Sequence, residues 1–142
     1  MTLPKPNSAS TAIFGASDGL VAALAIVLVT FSAGRHVVLL ALCGLLVAEG
    51  LGMAASQYLA DPAVSLRQAV VMGASTGAAI AAVGVPWLFA AGTPAVATSV
   101  AMAVAVAAII SWLRPEGWTS WAQTFAILTA VATIAVAVGR LK

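Results

Sequence analysis

The sequence predicts an all-α integral membrane protein, a bundle of about five transmembrane helices. Composition is the first reason: 63% of the 142 residues are hydrophobic and only 7% are charged, against about 25% charged in a soluble domain. Segmentation is the second. The apolar residues fall into five runs of about the 20 residues that a bilayer crossing requires, separated by proline, glycine and polar breaks. The third is ionisable content, since four acids, six bases and one histidine cannot furnish a water-facing surface.

The runs span approximately 10–32, 36–60, 67–91, 94–113 and 120–140, within a single transmembrane domain covering 1–142. Pro4, Pro6 and a Ser/Asn/Thr cluster precede the first and supply capping groups. Gly34-Arg35-His36 reads as a tight turn between the first two, with His36 an interfacial residue rather than a metal ligand. Asp61-Pro62 ends the second, because proline disfavours helical geometry in the residue before it. Pro86 kinks the third near its end. Gly92-Thr93-Pro94 separates the third from the fourth, a break that also admits a re-entrant pair. Arg114-Pro115-Glu116-Gly117 divides the last two. Trp87, Trp112, Trp118 and Trp121 fall near predicted helix ends, where amphipathic rings favour the headgroup layer. Tyr58 reads as an anchor of the same kind.

Several function classes are excluded at this level. A net charge of +2, scattered along the chain, does not make a nucleic-acid surface. No Walker, GxSxG, HExxH or CxxC motif is present, and no nucleophile–base pair projects into water, so no enzyme and no bound cofactor is expected. Cys43 is the single cysteine and reads as a packing residue, as do Met72 and Met102. The N-terminus, with an aspartate inside a long apolar run, reads as a retained first span rather than a cleavable signal. Arginine and lysine do not orient the bundle: Lys5, Arg67 and Arg114 would lie on one side and Arg35, Arg140 and Lys142 on the other.

Two acids, Asp18 and Glu49, lie inside apolar runs with no basic residue close by in sequence. A charged side chain at a helix centre costs about 2.5–3.5 kcal/mol on insertion scales. Such a group is expected to serve a cation, a proton or a hydrogen bond between helices. Glu49, Met53, Ser56 and Gln57 share one face of the second helix. Counting about 1.5 Å per residue places Met53 level with Asp18 on the antiparallel first helix, with Glu49 one turn away. Oxygen donors suit hard divalent ions, and methionine adds softness toward transition metals. The alternative is that both acids are protonated and bond to Ser17, Ser56, Gln57 or a backbone carbonyl. Glycines at Gly15 and Gly19, Gly50 and Gly52, and Gly73 and Gly77 are expected to let helix backbones approach closely, within the chain or between copies.

These residues carry a resemblance. Phe14-Gly15-Ala16-Ser17-Asp18-Gly19-Leu20-Val21 is similar to the signature that opens the first helix of the vacuolar iron transporter (VIT) family. Ala48 through Ala60, including Met53-Ala54-Ala55-Ser56-Gln57-Tyr58-Leu59-Ala60, resembles that family's second-helix motif. Arg67-Gln68-Ala69 leading to Val85-Pro86-Trp87, and the closing Val138-Gly139-Arg140-Leu141, are similar to its third helix and its end. The resemblance implies five transmembrane helices in a VIT-like fold, a dimer, and export of ferrous iron or manganese from the cytosol in exchange for protons. It also implies a cytoplasmic N-terminus. Asp18 and Met53 match the family's metal-pathway aspartate and methionine. The chain departs from the pattern at Gln57, which replaces a glutamate, and at Glu49, which stands where the family has glycine. Leu45 occupies the position of another family glutamate. The carboxylate-rich insert between the second and third helices is reduced to residues 61–66.

Two functions therefore stand side by side. The first is an accessory or stabilising subunit of a larger membrane transport complex that has lost transport itself, its cargo unspecified and lipid among the candidates. The second is a homodimeric Fe²⁺ or Mn²⁺/proton antiporter using Asp18, Glu49 and Met53, with the metal as cargo rather than cofactor. Expected partners are membrane lipids and other membrane subunits or a second copy, with no nucleic acid. The Ala/Val-rich composition, with arginine exceeding lysine, points to a bacterial inner or plasma membrane. Alkaline carbonate washing of membranes expressing the chain should leave it in the pellet, and only detergent should release it; recovery in the wash would overturn the membrane reading.

Overall fold

The computed structural model describes residues 8–60, 64–114 and 117–139. Among them every element is helical: α1 (Ser8–Thr30), α2 (Arg35–Ala60), α3 (Leu66–Gly84), the short α4 (Pro86–Phe89), α5 (Gly92–Leu113) and α6 (Trp118–Gly139). Five spans are long and apolar enough to cross a membrane, with α3 and α4 together making the third. A 22-residue helix such as α5 or α6 is about 33 Å long, enough for a hydrocarbon layer of about 30 Å. The α5 helix is long and apolar enough for a complete crossing, which favours two spans over a re-entrant pair at the break near 92–94.

Local chemistry sets the element ends. A one-turn 3₁₀ segment (Phe31–Ala33) closes the first span, and Gly34, at φ +94°, reverses the chain. That left-handed conformation favours glycine. Because Gly34 alone makes the turn, Arg35 and His36 belong to α2 instead of the turn expected from sequence. Ser65 caps α3 in a reciprocal box: its hydroxyl accepts from the Gln68 N–H, and the Gln68 side chain accepts from the Ser65 N–H. Pro86 has no N–H to continue α3, and the helix stops at Gly84 and restarts as α4. The expected stop at Asp61-Pro62, and Pro4, Pro6, Pro115, Glu116 and Arg140, lie outside the described residues.

The bundle is organised around α1 and α3, the two most buried spans, while α2 and α6 are mostly exposed. Its core joins Leu20, Leu24 and Val27 of α1 to Ile80 and Val83 of α3 and to Trp87 of α4. On α5 the buried residues Ala95, Ser99, Ala103 and Ala107 recur every four positions, a small-residue face. From it the Ser99 hydroxyl donates to the Val83 carbonyl, 2.7 Å away, linking α5 to α3. Such polar contacts and tight packing hold helices together where lipid tails are as apolar as the side chains. At the other end of α2, the Arg35 guanidinium donates to the Leu88 carbonyl and ties α2 to α4.

Glycine makes the closest approaches. A methyl group at Gly15 would sit 2.5 Å from the Met72 carbonyl oxygen, and one at Gly19 would collide with the Thr76 backbone. One at Gly73 would run into the Gly50 carbonyl and the Ala54 methyl. A methyl group at Gly50, on the same crossing, would lie 3.5 Å from the Gly73 carbonyl oxygen. Nothing lies within 4 Å of a methyl at Gly52 or Gly77, so these two do not pack inside the chain.

Three further expectations are corrected. Trp87 is fully buried in the core, not at an interface, because it lies seven and four residues beyond Ile80 and Val83 and continues the buried face of α3. Cys43 is exposed, and Met102 faces outward, each lying off its helix's buried face; Met72 is buried as expected. Trp112, Trp118 and Tyr58 are exposed, whereas Trp121 stacks on Phe125 with ring centroids 5.8 Å apart.

Overpacking a tight interior usually costs about 1–3 kcal/mol. Gly19→Leu and Gly73→Leu should therefore lower the thermal midpoint of the detergent-solubilised protein by several degrees, and Gly52→Leu should leave it unchanged. Equal midpoints for all three would refute the assigned crossings.

Candidate functional site

The position of the two acids follows from the glycine crossings, with α3 as a shared ruler. Gly15 and Gly19 set α1 against Met72, Ser75 and Thr76, while Gly50 and Ala54 set α2 against Gly73. Successive spans joined by short connections run antiparallel, so α1 and α3 are parallel and α2 is opposed. Asp18 then falls at the level of Ser75, and Glu49 falls within about one turn, roughly 5 Å, of the same level. Met53 lies about one turn nearer the N-terminal end of α1. Glu49 rather than Met53 is thus level with Asp18, the reverse of the sequence expectation. Counting from helix ends misjudges the depth because α1 starts at Ser8 and the crossings with α3 set the register.

Helix phase decides which way these side chains point. On α2, Gly50 and Ala54 form the stripe that meets α3. Val38, Leu42, Leu45, Glu49 and Met53, spaced by three or four, form the neighbouring stripe. Its upper members, Val38 and Leu42, are buried in the core, whereas Glu49 and Met53 are half-buried. On α1, Asp18 precedes Gly19 by 100° of helix rotation and is also half-buried. Propagating these rotations from the α3 contacts turns Asp18, Glu49 and Met53 toward one groove between α1 and α2, on the side away from α3.

Within that groove the carboxyl groups have no hydrogen bond or ion pair to any described residue. The expected serine partners are engaged elsewhere. The Ser17 hydroxyl donates to the Ile13 carbonyl at 2.8 Å, and Ser56 donates to Met53 at 3.2 Å. Both are the back-bonds to the preceding turn that helical hydroxyls commonly make. Among the described residues no three histidine, cysteine, aspartate or glutamate side chains come together as a cation site. Among the described residues, one chain therefore brings two acids and a thioether to the groove. Gln57 is half-buried at the same end of α2 but cannot ionise.

The outward face of α2 carries a pattern that the sequence reading assigned differently. Gly44, Ala48, Gly52 and Ala55 follow one another at spacings of four, four and three, and all four are exposed. A methyl at Gly44 or Gly52 meets nothing. Gly52 is part of this exterior stripe, beside Glu49 in sequence, rather than of the internal contact. The signal was legible as a small-residue repeat; its outward direction was not.

Compared with protein-family models, with curated proteins and with solved structures, the chain gives no match. The groove must therefore be judged on its own chemistry.

The shared level of the acids can be measured. In a Cys43→Ser background, Asp18→Cys combined with Glu49→Cys should be bridged by a short bifunctional thiol reagent. Asp18→Cys with Leu59→Cys should not, because Leu59 lies about 15 Å further along α2. Bridging of the second pair but not the first would refute the register.

Proposed function

We propose that this chain is an accessory subunit of a larger membrane assembly, one that completes its α1–α2 groove with residues of a neighbouring subunit. The observation that carries this reading is the pair of half-buried carboxyls with no partner among the described residues. An intramembrane acid normally pairs with another polar group or lines a pathway. The chain has no basic residue between Arg35 and Arg67, or between Lys5 and Arg35, to neutralise either acid. A helix seated on the exposed Gly44/Ala48/Gly52/Ala55 stripe could approach closely, as small residues permit, and would bring donors to Glu49. Replacement of the family's glutamate by Gln57, and the shortness of the segment at 61–66, favour a subunit that has given up transport. The cargo of the assembly is left open, lipid included.

A second reading keeps transport. The common level of Asp18 and Glu49, with Met53 one turn away, favours a divalent metal/proton antiporter of the vacuolar iron transporter kind. Two copies of the groove would present four carboxylates and two thioethers, enough for an oxygen-rich Fe²⁺ or Mn²⁺ site. In this reading the N-terminus is cytoplasmic and the metal leaves the cytosol.

Affinity isolation of the full chain in a mild detergent, followed by peptide mass spectrometry, separates the two. The subunit reading expects stoichiometric recovery of an unrelated membrane protein, lost in Gly52→Leu and Glu49→Leu. Proteoliposomes holding the chain alone should then show no Mn²⁺ uptake under a pH gradient. Uptake that Asp18→Asn abolishes would reject the subunit reading in favour of the antiporter.

A further inference from the structure

We draw no further inference here: the strongest candidate, the buried hydroxyls of Ser111 and Ser120 on either side of the α5–α6 connection, which hold no hydrogen bond, carries nothing because nothing among the described residues shows what would reach them.

Discussion

Backbone-to-backbone approach at α3 governs what the rest of this bundle can do. In water, helices associate because apolar surface leaves the solvent. In a bilayer that drive is nearly absent, and close packing must substitute for it. The chain meets this requirement by removing side chains where helices cross: Gly15 and Gly19 against α3 on one side, and Gly50 and Gly73 facing each other on the other. The crossings also fix depth. A register shift of one residue at either would displace Asp18 or Glu49 by about 1.5 Å and rotate it by 100°. The candidate groove is therefore a by-product of where glycine was placed.

The two acids have no counter-group among the described residues. Their carboxyls are half-buried at one level, and the nearby hydroxyls of Ser17 and Ser56 bond to their own helices. A carboxylate in hydrocarbon with no counter-group is costly, by several kcal/mol at the midplane. Whatever neutralises these groups, whether proton, metal or a neighbour's donor, changes the energy of the whole α1–α2 flank. A partner that binds there gains from electrostatics as well as from contact with the small-residue stripe on α2.

Sequence alone made the membrane class and the five spans legible, because long apolar runs between Pro/Gly breaks have few other physical meanings. The break at Pro86 follows from the same local rules, whereas the capping box at Ser65–Gln68 emerged with the structure. Position within the bundle was less legible. Glycine spacing suggested contacts for Gly52 and Gly77 as readily as for Gly19 and Gly73, since periodicity gives a face but not its direction. Trp87 reads as an interface residue by its place near a helix end. Its alignment with the buried Ile80 and Val83 of α3 shows it as core. The acids were found by composition, yet their common level needed the crossings with α3, which no count from a helix end supplies.

The connections between spans are minimal: one residue at Gly34, five at 61–65, two at Ala90–Ala91 and four at 114–117. None is long enough to form a domain in water that could sense a signal or recruit a soluble regulator. Among the described residues, the surface open to influence is therefore the one that the spans turn toward the bilayer. Membrane thickness, lipid composition and the crowd of neighbouring helices become its natural inputs, sampled sideways at every collision.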